Sequence, residues 1–531
     1  MAKPRYGLAD RYHVRKYKLP RGRAYSVSDH DVVVADGTTL KVSHYAPAGS
    51  PRGTVVAMSP YGRTGFTPRM SFGPYAAQGY HVLAVSVRGS CGSGGSFNPM
   101  LDEPSDFRDV VGWMRNQPWY TGSFASVGAS YLGWTQWALL MEPQPDHKAA
   151  IVVVGPHEFR DFHWGSGTFT SAFPMWLALL EAQESQLRSF RYLLTKGKPV
   201  YRMLRKTPVA DVMFQAVPGQ KAWAEDRIMY EADDPFWEPV DLSEALERAN
   251  IPVLICTGWQ DLFIAQSIEQ FTRLRARGVD SALTVGPGDH SQAATSTASA
   301  REPFEWLETH LVGTGPARAS RVHLHVTGAD EWRDLDEWPP ATVVRRMHLA
   351  AGALVDTAVT GEQVFVFDPE DPPTFPGGPL LIGGGYADDT DVAARGDVLS
   401  YASAVLTADV EVHGSPVVVL DRSSQHLDAN LFVRISDVDE RGRSRNVAQG
   451  DVRVHSDGTV HIQLTPIAHR FRAGHRIRLT VAGGAYPHFL SSPGTGENPM
   501  FATQRVPNRH TIQLAGSYLE LPVMPSLSNV N

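Results

Sequence analysis

Cysteine is almost absent: the 531 residues hold two, Cys91 and Cys256, with no C-x-x-C pair and no Cys/His cluster. That excludes a disulfide framework and a thiolate metal site, and it suits a reducing compartment. No apolar run approaches the roughly 18 residues that a membrane span needs. Met1 to Arg23 is basic and polar without an apolar core, so no secretory leader is expected. The net charge is −7 and no basic block interrupts the chain, which argues against nucleic acid as a partner. No period recurs closely enough for a repeat architecture. What remains, 42% hydrophobic and 20% charged, is an ordinary globular composition, expected in the cytoplasm and long enough for two or three domains.

The first third alternates strand and helix signals. Asp36-Gly37, between Asp31–Ala35 and Thr39–Tyr45, marks a hairpin. The apolar runs Thr54–Met58 and His81–Val87 suit buried parallel strands, with Met70–Gly79 as the crossover helix. Asp106–Asn116 carries Phe107, Val110, Val111 and Met114 at helical spacing. Ala149–Val154, Pro252–Cys256 and Ala282–Val285 resume the strands, and together they predict a doubly wound α/β sheet. Gly155 to Asn250 breaks the alternation. Its helix-rich stretches, Met175–Phe190 and Arg191–Lys206, predict a helical cap over the C-terminal ends of the strands.

After Leu311–Pro316 the texture changes to short β-prone runs, several of them alternating: Val322–Val326, Asp409–His413, Pro416–Leu420, Leu431–Ile435, Thr459–Leu464 and Arg476–Val481. Alternation puts one side chain in two on a buried face, which predicts a β-sandwich or jelly roll of about 200 residues. The expected division is a catalytic α/β domain over 1–154 and 251–316, a cap over 155–250 and a β domain over 317–531.

The chemistry centres on Gly128-Ala129-Ser130-Tyr131-Leu132-Gly133, between a strand-like run and the helix-compatible Trp134–Leu140. Small residues flanking a serine at a strand-to-helix turn are the mark of a nucleophile elbow. The second glycine falls one residue later than in G-x-S-x-G, and an ordinary glycine-rich turn has the same local composition. A nucleophilic serine needs a base and an orienting acid, which in an α/β-hydrolase sheet follow in the order Ser, Asp, His. Pro252–Cys256 runs into Asp261, and Ala282–Val285 runs into His290, one strand–helix–strand unit later. Among 20 histidines, His290 is singled out only by that position. Asp289 is a rival acid, but a side chain adjacent in sequence rarely faces its neighbour's ring, so Asp261 is favoured. The Tyr131 amide is one candidate oxyanion donor. Tyr61, in Ser59-Pro60-Tyr61-Gly62 after a strand, is the other through its phenol, or else a packed aromatic. Arg88–Ser96 is glycine-rich but lacks the Gly-Lys-Ser/Thr ending of a phosphate loop, and reads as a tight structural turn. Cys91 within it has no paired base and reads as an inert thiol.

Ser-Pro-Tyr-Gly (59–62), Arg-Gly-x-x-x-Ser-Gly-Gly (88–95), Gln-Pro-Trp (117–119), Gly-x-Ser-Tyr-Leu-Gly (128–133), Gly-Trp-x-Asp (258–261) and Gly-Pro-Gly-Asp-His-Ser (286–291) together resemble the cocaine esterase and X-Pro dipeptidyl-peptidase family. The late Gly133 resembles that family's own elbow. Gly328–Arg333, Trp338-Pro-Pro340 and Asp437-Val-Asp439 are similar to its C-terminal domain. The resemblance implies an α/β-hydrolase sheet with an inserted helical cap and an all-β C-terminal jelly-roll domain. It also implies Ser130 as nucleophile, His290 as base, Asp261 as orienter, and Tyr61 with the Tyr131 amide as oxyanion hole, with no cofactor and no metal. Gln260 departs from the family, which often has Tyr there, and an altered pocket wall is expected.

The expected activity is a serine hydrolase that cleaves a small ester or amide through an acyl-enzyme. The family resembled also spans X-Pro dipeptidyl-peptidases and α-amino-acid ester hydrolases. Such activities need a carboxylate for a free α-ammonium, for which Glu158 and Asp161 are the candidates. Acyl transfer to a non-water acceptor is the same chemistry with another acceptor. A carbohydrate-binding protein with a vestigial triad is the alternative of a different class, against which Ser130, Asp261 and His290 weigh. A homo-oligomer is left open.

Overall fold

The computed structural model describes residues 6–63, 66–183 and 197–525. A ten-stranded sheet forms its first layer: β1 (Tyr25–Val33), β2 (Thr39–Pro47), β3 (Thr54–Ser59), β4 (His81–Ser86), β5 (Phe124–Ala129), β6 (His147–Val153), β7 (Val253–Gln260), β8 (Ser281–Asp289), β9 (Val322–Val326) and β10 (Glu331–Leu335). The spatial order is β1-β2-β4-β3-β5-β6-β7-β8-β9-β10. β3 to β9 run parallel, while the hairpin β1–β2 and the strand β10 are antiparallel margins.

Both faces of this sheet are covered, which is why its central strands are apolar without interruption. Val56, Met58, Leu83 and Val85 share one core with Phe107, Val111, Trp134 and Phe271, from the helices Glu103–Arg115, Tyr131–Leu140 and Ile264–Ala276. Val55, Ala57, Val82 and Ala84 point the other way, onto Phe72 of helix Phe66–Ala77 and Phe304 and Leu307 of helix Thr297–Leu307. Alternate residues of one strand thus serve two cores.

Between β6 and β7 lies a run of helices that includes Arg160–Trp164, Ala172–Gln183, Val209–Ala216 and Lys221–Met229. The helix expected to run on over 184–196 lies outside the described residues. Trp176, from Ala172–Gln183, packs against Tyr131 at the head of the helix after β5, with ring centroids 6.0 Å apart. The helical run therefore lies against the C-terminal end of β5.

Val322–Val326 does not join the β domain, where its alternation had placed it. It pairs in parallel with β8 as β9, and β10 pairs with it in turn. Alternation shows that one face is buried but not against which sheet. The remaining strands form a twelve-stranded, largely antiparallel assembly. At its centre is Asn508–Val523, which pairs with four other strands. Its Gly516 and Pro522 interrupt the usual strand signal. Leu431, Val433, Ile435, Leu479, Val481, Leu519 and Leu521 fill this second core. Leu380, Ala468, Leu490 and Met500 from the same part of the chain complete the first core instead. Among the described residues no helix is long and apolar enough to cross a membrane.

Candidate active site

Ser130 sits where β5 turns into helix Tyr131–Leu140, with φ 58° and ψ −121°. A serine in that left-handed region is strained, and the surrounding contacts hold it there. Its amide donates to the Val153 carbonyl at 2.9 Å, and its carbonyl accepts from the Gly133 amide at 2.8 Å. The glycines are needed for space. A Cβ on Gly128 would lie 1.8 Å from the Leu132 carbonyl oxygen, and one on Gly133 would lie 2.6 Å from Gly155 Cα, just past β6. The late second glycine is thus the point where the helix crosses the neighbouring strand's exit.

β7 and β8 deliver the other two groups. Ser130 Oγ donates to His290 Nε2 at 2.9 Å, and His290 Nδ1 donates to Asp261 Oδ1 at 2.7 Å. Asp261 is wholly buried, and its second oxygen accepts from Thr257 Oγ1 at 2.8 Å. Asp289 faces elsewhere: its carboxylate caps helix His290–Ala294 by accepting from the Gln292 amide at 2.9 Å. A serine hydroxyl, an imidazole and a buried carboxylate in series can raise the nucleophilicity of the serine and stabilise the imidazolium that forms.

Tyr61 follows β3, and its ring lies 6.2 Å from that of Tyr131. Its phenol oxygen accepts from the indole N–H of Trp176 at 2.9 Å, which leaves the phenol hydrogen to donate. Burial raises the phenol well above its ordinary value, so it stays protonated. The Tyr61 amide is occupied, donating to Ser59 Oγ at 3.0 Å. The Tyr131 amide opens its helix and has no intrahelical acceptor. The Tyr131 phenol points away, donating to buried Glu103 and accepting from the Met100 amide. Trp176 and Glu103 have no sequence signal of their own. They are found only through their partners.

From Tyr61 a series of aromatic contacts leads to the imidazole. Tyr131 to Trp176 is 6.0 Å, Trp176 to Phe162 is 6.0 Å, Phe162 to Phe263 is 5.8 Å and Phe263 to His290 is 5.7 Å. A cavity of about 180 Å³ opens beside Phe162 and Phe263, with Leu380, Asp161 and Asp451 also on its walls. A cavity of about 900 Å³ lies elsewhere, between helix Thr297–Leu307 and β9–β10, with Arg318 and Trp332 on its walls. Glu158 is buried and committed locally, its oxygens accepting from the amides of Arg160 and Asp161 at 2.6 and 3.1 Å. Asp161 is more exposed and pairs with Arg160 at 3.2 Å. Gln260, at which an altered pocket wall is expected, is buried and turned to the β domain. Arg88 is held by Asp106 and Asp36 within the glycine-rich turn, and burial pushes the Cys91 thiol up. Among the described residues no group of three or more His, Cys, Asp or Glu could hold a metal ion.

A doubly wound sheet with a serine on a strained strand-to-helix turn, and a histidine and an aspartate past later strands, defines an α/β-hydrolase. Residues 36–292 match the X-Pro dipeptidyl-peptidase (S15 family), and residues 314–520 match the X-Pro dipeptidyl-peptidase C-terminal non-catalytic domain. The chain belongs to this family, and it is a serine hydrolase. It is 28% identical to the cocaine esterase of Rhodococcus sp. over 539 residues, covering 89% of this chain and 93% of that one. The same fold recurs in an aminopeptidase from a marine sediment Thaumarchaeota archaeon, with a TM-score of 0.79 at 21% identity over 94% of this chain and 96% of that one. An α-amino acid ester hydrolase also has a TM-score of 0.79, at 20% identity over 94% and 97%.

Proposed function

We propose that the chain hydrolyses small esters with an apolar, planar acyl group, with Ser130 as nucleophile, His290 as general base and acid, and Asp261 as the group that holds the imidazole. Ser130 Oγ attacks the ester carbonyl while His290 Nε2 takes its proton. The Tyr131 amide and the Tyr61 phenol donate to the oxyanion, and His290 returns the proton to the leaving alcohol. Water then releases the acyl group by the same steps in reverse. The observation that carries the acyl preference is the aromatic series from Tyr61 through Trp176 and Phe162 to Phe263, which ends on the imidazole itself. Phe162 and Phe263, the two members of the series that border the cavity of about 180 Å³, favour a flat apolar group over a charged one there.

An α-amino ester is the second reading. It rests on Asp161 and Asp451 bordering the cavity beside Phe263. Glu158 is buried near by and already accepts one backbone amide at each oxygen. We also propose a cytoplasmic location, on the two unpaired cysteines, and a β domain of jelly-roll type. The catalytic domain is proposed to be 1–154 and 251–316, with β9 and β10 completing its sheet, and the cap 155–250.

The deciding experiment is Ser130→Ala beside wild type on a panel of benzoate-type esters, α-amino esters and X-Pro amides. Turnover and labelling by a fluorophosphonate probe should vanish in the variant with the fold intact, and wild type should prefer the benzoate-type esters. Full-strength labelling of the variant would put the nucleophile elsewhere. A preference for X-Pro amides would overturn the acyl assignment.

A further inference from the structure

We infer that the C-terminal β domain positions the Asp261–His290 pair through a latch formed by Gln260 and a β-bulge at Val447, a role that rests on the catalytic reading proposed above. Gln260 is the last residue of β7 and the residue before Asp261, and it is 2% exposed. Its Nε2 donates to the Val447 carbonyl at 3.0 Å, and its Oε1 accepts from Asn446 Nδ2 at 3.1 Å. A buried primary amide engaged at both atoms has little freedom to shift, because either loss would leave a polar group unpaired away from water.

The Val447 carbonyl is available for a definite reason. In the ladder between Ala429–Val438 and Ser444–Val454, Ile435 lies opposite Ala448 and Ser436 lies opposite Asn446. Val447 is therefore the extra residue of a bulge, and a bulged residue loses its ladder partners and can be aimed outward. Asn446 extends the unit. It is also 2% exposed, its Nδ2 donates to the Gly385 carbonyl at 3.1 Å, and its Oδ1 accepts from the Ala387 amide at 2.6 Å. The backbone at Gly385 passes against Asp289: a Cβ there would lie 3.7 Å from Asp289 Oδ2.

Gln260 and Asp289 are themselves opposite one another in the β7–β8 pairing, across a register shift after Gly258. The residues before the acid and before the base are thus neighbours, and one hydrogen-bonded unit of the β domain bears on both. Gln260 and Asp261 are joined by one planar peptide unit, so a displacement of the β7 backbone at Gln260 is carried to the Asp261 Cα. The Asp261–His290 distance of 2.7 Å is what such a displacement would spoil.

Gln260→Met tests the latch, since it keeps length and packing and removes both hydrogen bonds. On an ester whose chemistry limits the rate, kcat per site titrated with a fluorophosphonate should fall by about 10-fold to 10²-fold with KM little changed. The acid limb of the kcat/KM profile should move to lower pH, because a loosened carboxylate supports the imidazolium less. If that variant does not fold, Asn446→Ser, which is too short to reach Gln260 Oε1, carries the same expectation. A merely structural role would lower the melting temperature and leave kcat per site and the acid limb unmoved, and that result overturns the latch. Ser130→Ala in the same assay separates the two ideas. An inactive Ser130→Ala beside a fully active Gln260→Met sinks the latch alone, whereas an active Ser130→Ala removes the catalytic reading and the latch with it.

Discussion

The indole N–H of Trp176 donates to the phenol oxygen of Tyr61 at 2.9 Å, across 115 residues of sequence. The acceptor lone pair is thereby used from the side of the inserted helices, so the phenol's own hydrogen is turned toward another partner. The bond ties the helix Ala172–Gln183 to the loop after β3, and each of the two elements also sets a ring against Tyr131.

Tyr61→Phe keeps the ring and its packing and deletes only the O–H. If the phenol donates to the oxyanion, the bond is made mainly in the transition state, so kcat should fall with little change in KM. Loss of one such donor costs about 2.7–4 kcal/mol, roughly 10²–10³ in rate. Trp176→Phe removes the group that turns the phenol and should give a smaller drop of the same kind. Pre-steady-state acylation rates provide the check. A Tyr61→Phe rate within a few-fold of wild type would leave Tyr61 a packing residue and pass the role to another donor, such as the Gly62 amide.

Glu103 predicts a pH dependence of stability. Burial pushes its carboxyl up to about 7 from a usual 4.5, against the opposing effect of the hydrogen bond from Tyr131. Below pH 4.5 folded and unfolded chains both hold this proton, and its contribution is complete. As pH rises toward about 7 the unfolded chain has released the proton while the native state retains it, so stability declines. The total is roughly 3 kcal/mol, gone above the folded value. Glu103→Gln cannot ionise, so its unfolding midpoint should decline less than that of wild type across this window. Parallel curves for the two proteins would show that Glu103 does not carry the proton.

Ending the chain at Pro316 should yield an insoluble or unstable catalytic fragment. The cut removes β9 and β10, which leaves β8 as an open edge. It also removes the His325 carbonyl, which accepts from buried Trp259 at 2.6 Å, and the side chains of Trp338, Leu380, Ala468, Leu490 and Met500, which belong to the first core. Solubility and specific activity of the fragment are the measurements. A soluble, fully active product would make the β domain an independent module.

Local pattern was enough to name the buried parallel strands, because a strand covered on both faces carries an unbroken apolar run, as Thr54–Met58 and Pro252–Cys256 do. It was enough, too, to pick out Ser130, Asp261 and His290, since each follows such a run and a strand's end is a fixed place in the sheet. The structure brings those three into one hydrogen-bonded series. What local pattern does not carry is the identity of the neighbour. The alternation of Val322–Val326 shows one buried face but is silent on which sheet supplies the next strand, and only tertiary pairing with β8 decided it. The same holds for Trp176 against Tyr61, Glu103 against Tyr131, and Gln260 against the bulge at Val447. Hydrogen bonds that span 28, 115 and 187 residues of sequence depend on how whole elements dock, and docking leaves no periodicity in the sequence for a reader to find.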